Sequence, residues 1–169
     1  MSSLAMTNSS LFSVDDFSTP GRPNGFGLAP AESNYIKPGK KPLSSMSPTM
    51  IFRKSTKRPE GSFGELLLVL GASGGPKIIT AVVQVFLYHI LLGMPLFEAT
   101  IHPCVHDQLI YHGSAATTVE ESELETGERI ILPNRTIAAL HSRHHHVLKI
   151  DYMGTVQSVS VDLETDTLR

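Results

Sequence analysis

The sequence predicts an α+β fold, and three stretches carry the prediction. The first is a near-continuous apolar run, "GELLLVL" at residues 64–70, which reads as a buried strand. The second follows a glycine turn: from Pro76 an apolar segment reaches Leu92, long enough for a helix, with proline at its opening and Gly93 as its stop. The third is a pair of strands at residues 147–150 and 155–161, the latter alternating Val156, Ser158 and Ser160 against Gln157, Val159 and Val161. A length of 169 residues and a mean hydropathy of +0.02 suit one ordinary core, so a single domain is expected.

Between these elements, residues 116–119 suggest a short strand and residues 134–144 a helix, with Asn134 as its expected cap. The long helix is apolar on nearly every face. Ile78, Ile79, Val82, Val83, Val85, Phe86, Leu87, Ile90, Leu91 and Leu92 cannot share one stripe, so it is expected to be covered on several sides. Gln84, Tyr88 and His89 interrupt the run, which lies at the lower limit of a membrane span and reads instead as a buried helix. Residues 1–62 differ from the scaffold of residues 63–169: they hold seven of the eleven prolines and almost no hydrophobic periodicity. Such a segment is either disordered or a functional loop laid over other elements, and in the second case part of its scaffold is expected outside this chain.

Fourteen basic and sixteen acidic side chains give a net charge of -2, which offers no electrostatic argument for nucleic acid or an acidic membrane surface. Cys104 is the single cysteine, so no internal disulfide forms and the redox compartment stays open. The first thirteen residues have neither a basic start nor a sustained apolar core, so no signal peptide is read there. Two glycosylation sequons, at Asn8 and Asn134, matter only in the secretory pathway.

Three groups of residues could carry chemistry. "GASGG", residues 71–75, is a glycine corner between strand and helix whose N–H groups suit phosphate or a developing oxyanion; glycines there also serve simply to turn the chain. The paired carboxylates Asp15 and Asp16 could act as acid and base, hold a metal, or bind an ammonium group, or lie in a solvated turn. The paired hydroxyls Ser44 and Ser45, set between Pro42 and Pro48, leave the same choice open. The eight histidines include "HPCVHD", which puts His102, Cys104 and His106 on one side of a strand, and the run His144, His145, His146; zinc is conceivable, yet the spacing is not finger-like and no metal is expected.

In order, "DDFSTPG", "NYIKPGKKPLSSMSPT", "LGASGG" and "IITAVVQVFL" resemble the small subunit of γ-glutamyltransferases, the glutathione hydrolases of the N-terminal-nucleophile (Ntn) hydrolase class. The resemblance is strongest from Asp15 to Gln108; "PGKKPLSSMSPT" is its most specific piece, and "PCVHDQ" and "RHHHV" extend it. It implies a portion of an αββα sandwich. It also implies that Ser44 and Ser45 hold the α-carboxylate of a γ-glutamyl group, that Asp16 holds its α-ammonium, and that Gly74 and Gly75 supply oxyanion donors. The reaction implied is γ-glutamyl transfer from glutathione or another γ-glutamyl donor to water, an amino acid or a peptide, through a threonine ester and without metal or organic cofactor. The partner implied is a large subunit from the same precursor, and the location implied is extracellular, at the plasma membrane, or vacuolar.

The sequence departs from the family pattern at three places. The threonine nucleophile, freed by self-cleavage, belongs several tens of residues before "DDF", and "MSSLAMTNSSLFS" has no match to its motif. Ser13 stands where an acidic contact to the ammonium is usual, and the glycine-rich tail of the family does not follow "DTLR". The expectation is therefore a small-subunit fragment that supplies the head-group pocket and oxyanion hole and does not turn over alone. The alternative is a non-catalytic protein that keeps the scaffold or ligand binding.

Overall fold

The computed structural model describes residues 17–54, 62–162 and 167–168. Eight strands and three α-helices are found there: β1 (Thr49–Arg53), β2 (Glu65–Ser73), α1 (Lys77–Phe86), α2 (Leu96–Ile101), β3 (Val105–Asp107), β4 (Thr117–Glu123), β5 (Arg129–Ile131), α3 (Asn134–His141), β6 (Val147–Ile150), β7 (Thr155–Asp162) and β8 (Thr167–Leu168). The mixture is the predicted α+β.

Two sheets organise these strands. One is antiparallel in the order β1-β2-β7-β8. The other joins β3, β4 and β5, with β6 running parallel to β4. The loop-rich segment contributes one strand to the first sheet, because β1 lies within it and pairs with β2, Thr49 opposite Leu70. The sequence hides β1 because five residues, two of them polar, carry too little pattern.

The core sits where α1 and α2 cover the first sheet. Leu68 and Leu70 are one period of strand apart and share a face; they meet Ile78, Val82 and Val85 of α1 and Ala99 of α2. Burial of these side chains, at about 1.5–3 kcal/mol each, is what fixes the angle at which α1 leaves β2. Trimming Ile78, which is 5% exposed, to valine should cost about 1 kcal/mol in chemical denaturation. No loss of stability would mean that this contact is not part of the core.

The long helix departs from expectation. Its buried residues Lys77, Ile78, Ala81, Val82 and Val85 form one stripe, whereas Ile79 and Val83 are about half exposed. Among the described residues, β2 and β7 of the first sheet, β3 of the second and α2 cover that stripe and leave Ile79 and Val83 outside it. Beyond Phe86 the helix widens to five-residue π turns over Leu87–Leu91 and stops at Gly93, whose φ of +68° suits glycine. Among the described residues, no helix is long and apolar enough to cross a membrane. The later helix is also corrected at its start. Asn134 is its first residue, and Pro133 occupies the cap position without a side-chain hydrogen bond.

Candidate functional site

The glycine corner is built by backbone contact. β2 ends at Ser73 and α1 begins at Lys77, so Gly74 and Gly75 turn the chain within two residues, with φ of +134° and +64°. Only glycine takes both conformations readily. Their carbonyls receive the first helical N–H groups, Lys77 N to Gly74 O at 3.3 Å and Ile78 N to Gly75 O at 3.1 Å. Gly74 leans on Gly154, the residue before β7: a Cβ on Gly74 would lie 2.9 Å from Gly154 Cα and from Met153 O, and one on Gly154 would lie 2.2 Å from Ser73 O.

The turn that carries Gly154 is itself held. Glu120 of β4 accepts hydrogen bonds from Cys104 N at 3.2 Å and Met153 N at 3.4 Å, while Lys77 Nζ reaches Tyr152 O at 3.5 Å. Burial lowers the Lys77 pKa, an effect partly offset by Glu120. Burial also pushes the Cys104 thiol up to about 12, with Glu120 adding to the rise. Cys104 is therefore a packing residue and not a nucleophile at neutral pH.

Phe26 closes the other side of the corner. Its ring stands where a Cβ on Gly75 would be, 2.4 Å away. Gln108 fixes this position by donating from Nε2 to Phe26 O at 2.9 Å, and its amide oxygen lies 3.1 Å from His106 Nε2. The histidine is buried, and that burial lowers its pKa despite the Gln108 bond, which acts in the opposite direction. A neutral imidazole that gives its Nε2 proton to Gln108 leaves Nδ1 as acceptor, 3.0 Å from Thr80 Oγ1 on α1. "PCVHDQ" thus buttresses the glycine corner through Thr80, His106, Gln108 and Phe26.

The serine pair arrives at the same corner. Ser45 Oγ donates to Gly75 O at 2.8 Å, across thirty positions of sequence. Ser44 Oγ accepts from Met46 N at 3.1 Å, which leaves its own O–H proton available to a ligand. Ser47 Oγ to Ser45 O and Thr49 Oγ1 to Ser47 O, each 3.0 Å, stiffen the path from the serines into β1. Asp15 and Asp16 lie outside the described residues. Phe17, which follows them, is described, and the next residue is tied to the serine segment: Asn34 Nδ2 donates to Ser18 Oγ at 3.2 Å, and Leu43 N donates to Asn34 Oδ1 at 2.8 Å.

Of the predicted site residues, Ser45 and Gly75 therefore meet, with Ser44 and Gly74 beside them in the chain. Asn34, Phe26, Gln108 and Gly154 support them; Asn34 and Gln108 stand in motifs that carry the resemblance, whereas Phe26 and Gly154 had no signal in the sequence. The histidines are otherwise engaged: His145 Nδ1 lies 2.7 Å from Thr117 Oγ1 and 3.3 Å from Asp107 Oδ2, and His102 packs on Tyr88. Among the described residues no three His, Cys, Asp or Glu side chains converge in a way that could hold a metal.

A sequence profile described as gamma-glutamyltranspeptidase matches residues 12–168. The chain belongs to that family. Similar members include the glutathione hydrolase proenzyme of Arthroderma benhamiae, 38% identical over 146 residues, and that of Escherichia coli, 35% identical over 149 residues. These alignments cover 86% and 88% of this chain but 22% of each relative, so the chain spans roughly a fifth of the length of the curated relatives it matches. A crystal structure of a mutant gamma-glutamyltranspeptidase from Helicobacter pylori superposes with a TM-score of 0.70 and 31% identity, over 92% of this chain and 73% of that one. The fold is that of the gamma-glutamyltranspeptidases, as the motif resemblance implies, and the helix-covered sheet β1-β2-β7-β8 is the chain's helix-on-sheet portion of it.

Proposed function

We propose that this gamma-glutamyltranspeptidase chain supplies the head-group pocket and the oxyanion hole for γ-glutamyl transfer or hydrolysis, with glutathione or a related γ-glutamyl compound as donor. The bond from Ser45 Oγ to Gly75 O carries the reading, because it sets the carboxylate-binding serines beside the backbone donors that acyl transfer needs. In this arrangement Ser44 gives its free O–H to the α-carboxylate of the donor. Asp16 pairs with the α-ammonium. The N–H groups of Gly74 and Gly75, which donate to no described residue, receive the negative oxygen of the tetrahedral intermediate. A threonine from outside these residues attacks the γ-carbonyl and a large subunit completes the site, while water, an amino acid or a peptide takes the acyl group.

The test is kinetic and uses the chain together with its large subunit. Such an enzyme should cleave a γ-glutamyl anilide, and Ser44→Ala should weaken the donor by about 1–3 kcal/mol, the worth of a hydrogen bond to a charged group, with little change in kcat. Ser45→Ala should act differently. Its proton is already held by Gly75 O, so the loss falls on the placement of the loop and therefore on kcat as well. Unchanged donor KM in Ser44→Ala would remove the serine pair from the head-group pocket.

A further inference from the structure

The two proposed oxyanion donors are held by different means. Gly75 N–H shares a peptide with Gly74 O, which accepts from Lys77 N at 3.3 Å in the first turn of α1, so the helix itself fixes that donor. Gly74 N–H shares a peptide with Ser73 O, and in a trans peptide the two point in opposite directions. Whatever seats Ser73 O therefore aims Gly74 N–H. Gly154 presses on that oxygen: a Cβ on Gly154 would lie 2.2 Å from Ser73 O and 3.2 Å from Gly74 Cα.

Gly154 ends the turn between β6 and β7, and one side chain spans that turn. Glu120 stands beside Ile150, the last residue of β6, in the parallel pairing of β4 and β6. Its backbone N–H donates to Cys104 O at 2.9 Å and its Oε2 accepts from Cys104 N at 3.2 Å, so it is tied twice to the residue before β3. The other carboxylate oxygen, Oε1, is left for Met153 N, 3.4 Å away. Met153 is 2% exposed, so its N–H has no solvent to turn to. Lys77 holds the same peptide from its other end. It is 7% exposed and opens α1, where the helix dipole disfavours a cation. Its Nζ reaches Tyr152 O at 3.5 Å, and Glu120 supplies the negative charge that offsets its burial. Tyr152 O and Met153 N belong to one peptide, so a cation and a carboxylate grip opposite edges of a single plane.

We propose that Glu120 is a positioning residue for the acyl-transfer step: with Lys77 it clamps the peptide between Tyr152 and Met153, which seats Gly154 against Ser73 O and so aims Gly74 N–H at the negative oxygen of the tetrahedral intermediate. The inference rests on the oxyanion reading above. It divides the two donors, since Gly75 N–H follows the helix and Gly74 N–H follows Glu120. A carboxylate suits this task because its two oxygens accept from Cys104 N and Met153 N at once, whereas a neutral amide turns a donor toward one of them. An oxyanion donor acts through its direction, so a small rotation of this peptide is felt in the transition state more than in the bound donor.

Three proteins test this: unaltered, Glu120→Met, and Glu120→Met combined with Lys77→Met. The single change strands the buried Lys77 cation and therefore also costs stability; the double change removes that cation and returns stability without restoring the clamp. In ¹⁵N spectra of the full 169-residue chain, the Gly74 amide should shift in both variants while the Gly75 amide stays near its place. In the chain combined with the proposed large subunit, single-turnover cleavage of a γ-glutamyl anilide should slow about tenfold in both variants, part of the loss of roughly 10²–10³ expected when a donor is removed outright, with donor affinity within about twofold. Recovery of the acylation rate in the double variant would mean that Glu120 serves only to neutralise Lys77, and an unmoved Gly74 amide would mean that the turn does not aim it. Either result overturns the proposal and leaves the oxyanion reading standing. If the unaltered enzyme does not cleave the anilide, both fall.

Discussion

Replacing Gly75 by alanine is expected to slow acylation by about 10²–10³, the loss seen when one oxyanion donor is removed, while donor affinity changes less than about threefold. The structure gives two reasons. At a φ of +64° an alanine Cβ is strained, and the position it would take lies 2.4 Å from the edge of the Phe26 ring. Gln108 fixes the Phe26 carbonyl and leaves the ring to yield about its own side-chain torsions. The backbone strain at residue 75 remains, and it turns the N–H from its direction. Ser45 loses its acceptor geometry at the same time, so a modest effect on binding accompanies the rate effect. Single-turnover acylation measured beside equilibrium donor binding separates the two. Affinity falling as much as the rate would place Gly75 in ground-state binding and not in oxyanion stabilisation.

The contrast with Gly74 sharpens the test. There the obstacle is backbone, Met153 O and Gly154 Cα at 2.9 Å, and both belong to a turn pinned by Glu120 and Lys77. A side chain at Gly74 must therefore push β7 away from β2, so its effect spreads into folding. Gly75→Ala is the cleaner probe of chemistry because its obstacle is a side chain.

What could be read from the sequence follows from the range of the interactions involved. β2, α1, β6 and β7 were legible because runs and alternation are local, although of the apolar run in β2 only Leu68 and Leu70 are fully buried and Glu65 is exposed. α2, β3 and β5 have six, three and three residues, too few to set a period against chance. Motif resemblance supplied the roles proposed for Ser44, Ser45, Gly74 and Gly75, and composition alone left each of them balanced against an ordinary turn. Partnerships between distant residues were not legible. Asn34 in "SNYIKPG" has the same appearance as any loop asparagine until folding sets Ser18 and Leu43 on its two sides, and Gly154 is an ordinary strand-leading glycine until β7 pairs with β2 through Ser73 and Thr155. The apolar surround of α1 misled in the other direction. Apolar residues on every face reported what the helix can bury, and the described residues cover one stripe of it.

The largest effect on donor binding is expected at Asp16, which the resemblance pairs with the α-ammonium of the γ-glutamyl group. In an enzyme that combines this chain with the proposed large subunit, Asp16→Ala should weaken the donor by about 2–5 kcal/mol, the cost of leaving a desolvated charge without its partner. This exceeds the loss expected for Ser44, where a neutral hydroxyl and not a full charge is removed. The neighbouring sequence adds weight to that one carboxylate, since Ser13 occupies the place where a second acidic contact is usual, and a hydroxyl there cannot share the charge. Ser18, two residues along the chain from Asp16, is fastened through Asn34 to Leu43, the residue before Ser44, which ties the segment after Asp16 to the serine segment. Loss of Asp16 should leave the glycine corner in place, with acceptor KM unchanged and the entire penalty in donor kcat/KM. Asp16→Asn separates charge from shape: the amide keeps the volume and an acceptor oxygen, and should recover only a small part of the loss. If Asp16→Asn matched the unaltered enzyme with glutathione, a neutral acceptor would suffice, and the ammonium would have to find its counter-charge elsewhere in the pocket.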